Sequence, residues 1–205
     1  MKSTWENVEH FEDIVAEYAG SKYAVATDSC TNAIFLCLKY FQTKSKLATN
    51  ISIDVPKRTY PSIPMAVKHA GYEVNFVDDE WIGTYQLSPF DLYDSAVRFT
   101  QGMYKDGFQC LSFHIKKHIP IGRGGMILTD DKKAATWLRC ARYDGRPSPF
   151  WKDVKDIQMC GWHMYMTPDQ AARGVELFHR LPKLNYDLAS WKDYSVDLST
   201  LKAFK

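Results

Sequence analysis

From Trp5 to Val77 the chain alternates between two hydrophobic periods, and this alternation limits the folds open to it more than any other feature. Trp5, Val8, Phe11, Ile14, Val15 and Tyr18 recur at steps of three and four residues, the period of an amphipathic helix that Gly20 closes. Lys22 to Thr27 is a short apolar strand, and Ala33 to Phe41 is a buried helix. Ile51 to Val55 is a second strand. Pro61 to Ala70 is a helix with proline in its first turn and Gly71 at its end, and Val74 to Val77 is a third strand. Strands and helices in this order imply right-handed βαβ units, an α/β fold and a largely parallel sheet. Ligands of such sheets gather at the carboxyl ends of the strands, where Ser29, Tyr60 and Asp94 fall.

The 205 residues suffice for one sizeable core, and 45% apolar content fits one globular domain. A net charge of +2 with no basic run argues against nucleic acid and anionic membranes as partners. Cys30, Cys37, Cys110, Cys140 and Cys160 are an odd set without metal-binding spacing, which reads as reduced, mostly buried thiols of a cytoplasmic protein. Polar sequence directly after Met1 and the lack of a long apolar run predict neither a signal peptide nor a membrane span.

Three places carry candidate chemistry. Asp28-Ser29-Cys30-Thr31-Asn32 joins a strand to a helix, and the free N–H groups and positive dipole of such a junction suit a phosphate; an ordinary N-cap has the same composition. The apolar run Phe90 to Tyr93 ends in Asp94, an acid that needs a cation or hydrogen bonds if buried, or that caps a helix. Residues 109 to 129 read as strand, loop and strand, with Lys116 and Lys117 before the glycines at 122, 124 and 125. A desolvated lysine there is a nucleophile for carbonyls, whereas solvated lysines are surface residues. An amphipathic helix from Lys132 to about Tyr143 and a helix from Thr167-Pro168-Asp169 through His179 complete the pattern, and beyond Pro182 no clear period remains.

In order along the chain, these segments resemble the DegT/DnrJ/EryC1/StrS aminotransferases. The resemblance runs through Phe11-Glu12, Tyr18 to Val25, Ser29-Cys30-Thr31-Asn32-Ala33 against the family's Ser-Gly-Thr-x-Ala, and Thr59-Tyr60-Pro61-Ser62. It continues through Ala70-Gly71 to Asp78, Asp94-Ser95-Ala96, Ser112 to Ile127 against SFHxxK…GEGG, Arg142 to Arg146, and Asp169 to Gly174. It implies a three-layer α/β/α fold with a mostly parallel mixed sheet, similar to the large domain of fold-type I enzymes that use pyridoxal 5'-phosphate. Residues 1–180 would form that minimal cofactor domain and 181–205 a tail, with the family's small C-terminal domain absent.

The resemblance also implies roles. Lys117, five residues after Ser112, matches the lysine that holds the cofactor as a Schiff base, and Lys116 is its neighbour. Asp94 matches the acid that keeps the ring nitrogen protonated, and Tyr60 an aromatic that stacks on the ring. Ser29, Cys30 and Thr31, with the Ser112 hydroxyl, match the phosphate cup. His163 takes the place of an asparagine that reaches the phosphate of the neighbouring subunit, which implies a homodimer with shared sites. The aromatic residues Tyr143, Phe150, Trp151, Trp162 and Tyr165 suit such an interface or the monomer's own core.

Three departures stand out: Cys30 in place of the cup glycine, Val97 where the family has Gln or His, and Arg123 in place of the acid of GEGG. The stretch between Asp79 and Asp94 is also much shorter than in full-length members, as though a helix and a strand were missing. The implied function is amino transfer, with glutamate as donor, to a nucleotide-linked keto-sugar. Alternatives are a cofactor-binding or partner-binding remnant without activity, and a sugar dehydratase; the last ranks lowest because dehydratases of the family carry histidine where Lys117 stands.

Overall fold

The computed structural model describes residues 4–44, 51–147 and 157–205, so Phe150 and Trp151 lie outside the described residues. Helix α1 (Glu6–Ala19) ends where Gly20 turns to φ 90° and donates its N–H to Ala16. Strand β1 (Tyr23–Thr27) follows, then α2 (Cys30–Lys44), β2 (Ser52–Pro56), α3 (Ser62–Ala70) and β3 (Glu73–Val77). Gly71 stops α3 at φ 91°. Two short strands come next, β4 (Tyr85–Gln86) and β5 (Leu92–Asp94), then β6 (Phe108–Ser112) and β7 (Gly125–Thr129). Asp131 caps α4 (Lys132–Ala141) by accepting from the N–H groups of Lys133 and Ala134. In α5 (Pro168–Phe178), Pro168 opens the helix and the Gln170 side chain accepts from the Thr167 N–H at 3.0 Å.

One sheet has the order β1-β7-β6-β5-β4, and β2 and β3 form a parallel pair. The Asp54 N–H donates to the Ser88 carbonyl at 2.8 Å and links β2 to the turn between β4 and β5. The layers follow from the two-residue period of the strands. Val25, Cys110 and Ile127 face α2, α3 and α4, while Ala24, Ala26, Leu111, Met126 and Leu128 face α1 and α5. On that second face Gly174 of α5 lets Phe11 approach; a Cβ there would lie 2.7 Å from the ring.

The α/β class, the mixed sheet and the three layers match expectation, but parallel pairing is scarcer than βαβ spacing implies. Among the described residues only β5/β6 and β2/β3 are parallel, whereas β1/β7, β6/β7 and β4/β5 are antiparallel. The chain reverses over residues 113–124, and β7 inserts between β1 and β6.

Residues 181–205 hold three short 3-10 turns, Trp191–Asp193, Leu198–Thr200 and Lys202–Phe204. Leu188 donates its N–H to Val97, Trp191 to Trp81 and Leu198 to Lys57, at 2.9, 3.1 and 2.9 Å. Arg98 grips both oxygens of Asp187 at 2.8 and 2.7 Å. Among the described residues no helix is long and apolar enough to cross a membrane.

Candidate active site

The carboxyl ends of β1, β5 and β6 and the start of β7 share one edge of the sheet, since Gly125 pairs with both Thr27 and Ser112. Gly125 has no room for a side chain: a Cβ would come within 2.3 Å of the Ser29 backbone. The glycine therefore lets β7 pass against the β1–α2 junction and sets the N-terminus of α2 at the same edge. The Thr31 and Ser62 hydroxyls, 2.7 Å apart, join the starts of α2 and α3 there.

A cavity of about 530 Å³ opens at this edge. Ser29, Cys30, Thr31, Tyr60, Asp94, Ser112 and Lys117 all line it. The loop after β6 turns back at once, with the Lys117 N–H donating to the His114 carbonyl at 2.9 Å. That turn leaves Lys116 exposed and Lys117 half-buried. Burial lowers the amine pKa of Lys117, against the pull of Asp94, which faces it.

Asp94 is only 5% exposed. Its Oδ2 accepts from the Tyr85 hydroxyl at 2.6 Å, and its Oδ1 from the Ala96 N–H at 2.9 Å. Burial raises its pKa, while Tyr85, the Ala96 N–H and Lys117 pull it down. No helix follows Asp94, so it is not a helix cap.

The departures now have structural accounts. Cys30 is buried in the cavity wall, with Sγ 3.8 Å from Asp94 Oδ1. Burial and the nearby Asp94 push its thiol pKa well up, so it stays a neutral weak donor. Val97 is buried in the cavity wall. Arg123 is paired with Asp28, 2.8 Å from Oδ2.

His163 does not line the cavity of its own chain. Its exposed ring has Nδ1 3.1 Å from Asp144 Oδ1 and packs edge-on to Tyr165. Tyr143 and Tyr165 both pack on Trp5 at the start of α1, with centroids 5.4 Å away, and Trp162 packs on Phe35. These aromatic rings thus make contacts within their own chain.

Several lining residues escaped sequence reading: Thr59, Trp81, Tyr85, Asp193 and Tyr194. For Tyr85 a signal existed, because Trp81, Gly83, Tyr85 and Leu87 are buried in strict alternation, the period of a half-buried strand. Asp193 and Tyr194 arrive from the far end of the chain, where no local period marks them.

The residues fit a molecule with an anionic group at one end and an aldehyde and a ring nitrogen at the other. The helix starts and hydroxyls suit the anion, the half-buried amine the aldehyde and the buried carboxylate the nitrogen.

Known proteins show the same arrangement of chain. The sequence model of the DegT/DnrJ/EryC1/StrS aminotransferase family matches residues 1–103 and 100–202. An uncharacterized protein of Methanocaldococcus jannaschii is 25% identical, with 89% of this chain and 60% of that protein covered. The spore coat polysaccharide biosynthesis protein SpsC of Bacillus subtilis is 24% identical, with 88% and 59% covered. The chain thus spans about 60% of the length of these curated relatives.

Among solved structures, the E. coli GDP-4-keto-6-deoxy-D-mannose-3-dehydratase with bound hydrated PLP superposes with a TM-score of 0.68 at 18% identity, over 86% of this chain and 60% of that one. An aminotransferase from Psychrobacter cryohalolentis gives 0.68 at 18%, over 85% and 56%. DesV of S. venezuelae, in complex with a ketimine intermediate, gives 0.68 at 20%, over 85% and 56%.

Proposed function

This chain belongs to the DegT/DnrJ/EryC1/StrS aminotransferase family, and on that premise we propose that it binds pyridoxal 5'-phosphate in the cavity and transfers an amino group from an amino acid, glutamate in the first instance, to a nucleotide-linked keto-sugar. The observation that carries the reading is Lys117, a half-buried amine with a lowered pKa, facing the buried carboxylate of Asp94. The solved structures with bound cofactor or intermediate support it at the level of fold.

When bound, the cofactor supplies an electron sink that makes the Cα–H of an amino acid acidic enough to remove. The chain's own residues do the rest. Ser29, Thr31 and the first N–H groups of α2 hold the phosphate, assisted by Ser112. Asp94, kept in place by Tyr85 and Ala96, holds a proton on the ring nitrogen. Lys117 Nζ would be the amine placed at the cofactor's aldehyde end, and it would take up and return the proton there. Desolvation favours its neutral form, the form in which an amine can meet an aldehyde and accept a proton. Trp81 and Tyr194 add aromatic surface to the cavity, and the exposed Tyr60 at its rim is the ring that would stack on the cofactor.

The same proposal includes a homodimer in which each His163 reaches the phosphate side of its partner's cavity, and a cytoplasmic location where the free cysteines stay reduced. Its support is the exposure of His163 outside its own cavity and its fixation by Asp144 and Tyr165. Sedimentation showing a monomer that binds the cofactor tightly would remove this part.

The test of the main reading is a spectrum of the protein titrated with pyridoxal phosphate, followed by borohydride reduction and peptide mapping. A label on Lys117, and conversion of the cofactor to its amine form by glutamate, are expected. A label on Lys116, or none, overturns the reading. Release of water from the sugar without amino transfer would reassign the reaction to dehydration.

A further inference from the structure

We propose that Tyr85 is a positioning residue for Asp94 and that Thr59 holds Tyr85 in turn, so that the row Thr59–Tyr85–Asp94 maintains Asp94 as an ionised acceptor aimed into the cavity. The inference rests on the cofactor reading above. The three groups come from separate parts of the chain: Thr59 from the loop after β2, Tyr85 from β4 and Asp94 from the end of β5. The Tyr85 hydroxyl lies 2.6 Å from Asp94 Oδ2 and 2.6 Å from Thr59 Oγ1. Tyr85 is 5% exposed and Thr59 3%.

The direction of the row follows from donor count. An ionised carboxylate only accepts, and a tyrosine hydroxyl has a single proton. That proton goes to Asp94, so the Thr59 hydroxyl donates to the Tyr85 oxygen. Each donor in the row strengthens the next. The tyrosine itself does not ionise, since burial and the neighbouring Asp94 drive its pKa well up.

The other groups around Asp94 leave this task to Tyr85. Cys30 and the Ala96 N–H both address Oδ1. Lys117 acts through space from the cavity, and the Cys110 thiol and Tyr194 hydroxyl face Asp94 as groups that only add negative charge if they ionise. Among the described residues, Tyr85 is the side chain that donates to Oδ2. Without it a buried carboxylate would keep its own proton to higher pH, and a neutral Asp94 does not hold a proton on the ring nitrogen.

Tyr85→Phe removes the hydroxyl and leaves the ring packed on Trp81, 5.0 Å between centroids; Thr59→Val removes the second link. The first measurement uses protein without cofactor: the carboxyl carbon of Asp94 followed by NMR against pH. The midpoint is expected to move up in Tyr85→Phe and, by less, in Thr59→Val. With cofactor, kcat for amino transfer is expected to fall about tenfold or more at neutral pH with KM for the donor little changed, the scale of one hydrogen bond to a charged group. The acid limb of the kcat profile should move to higher pH. A folded Tyr85→Phe with an unmoved Asp94 midpoint overturns the proposal. If that variant does not fold, an unmoved midpoint in Thr59→Val does so instead. Failure of the wild type to bind pyridoxal phosphate would refute the cofactor reading alone, since the titration without cofactor still decides the row.

Discussion

Arg123 and Asp28 form an ion pair at the mouth of the cavity, with Nη2 2.8 Å from Oδ2 and Nε 3.3 Å from the Asp28 carbonyl. The arginine that reverses a charge in the glycine-rich turn therefore has a matching acid at the β1–α2 junction. Asp28 also accepts from the Asn32 side chain at 2.7 Å, which fixes it beside the start of α2.

The pair makes a first prediction. Left alone, Asp28 would repel an anion at the helix start. Arg123→Ala should weaken pyridoxal phosphate binding by about tenfold, or roughly 1.4 kcal/mol, the scale of one charge interaction near a protein surface. Adding Asp28→Asn should restore most of it. Equal losses in the single and double variants, read by absorbance titration, would show that the pair does not shape the cup.

Asp94→Asn should keep the cofactor bound and lower kcat by about 30-fold to 4,000-fold. The range follows from a loss of roughly 2–5 kcal/mol for one partner of a buried charge pair, at about 1.4 kcal/mol per tenfold. Survival of activity within tenfold would make Asp94 a structural acid.

The same substitution has a stability signature. Burial raises the Asp94 pKa in the native state, so the folded protein binds this proton more tightly than the unfolded chain. Ionisation then withdraws stability as pH rises from the ordinary carboxylate range through the native value. Asp94→Asn escapes that loss, so its stability relative to wild type should increase with pH across the window. Denaturant midpoints at several pH values would check it.

Glu12 is a buried acid that ties α1 to β1 and α4. It accepts from the Ala26 N–H at 2.9 Å, from Arg139 at 2.9 Å and from Arg142. Glu12→Ala should destabilise the fold by about 3–5 kcal/mol, because Arg142 is left desolvated without its acid. A shift in denaturation midpoint worth less than about 1 kcal/mol would place this pair among ordinary surface pairs.

Asp131 caps α4, and the backbone N–H groups of Ala134 and Lys133 help to hold its pKa below the usual value. Asp131→Ala should remove about 1 kcal/mol at neutral pH. A lowered native pKa means stability that is present above the unfolded value and lost as pH falls through the native one. The gap between wild type and variant should therefore narrow on acidification.

Most of the element order was legible in the sequence, because the signals are local. The three- and four-residue steps of α1, glycines 20 and 71, and Thr167-Pro168 each act within a few residues and fall where the helices begin or end. The resemblance singled out Lys117 over Lys116; both line the cavity, and Lys117 is the half-buried one of the two. Asp94 was readable as an acid closing an apolar run. Only the tertiary structure decided what depends on closure of the chain: the insertion of β7 between β1 and β6, the Tyr85 hydroxyl on Asp94, the pairing of Arg123 with Asp28, and the arrival of Tyr194 in the cavity wall. Tyr194 is placed by contacts such as Arg98 to Asp187 and Trp191 to Trp81. Such links join positions roughly a hundred residues apart, whose side chains gain their partners only after the layers have packed, and no local period or cap records them.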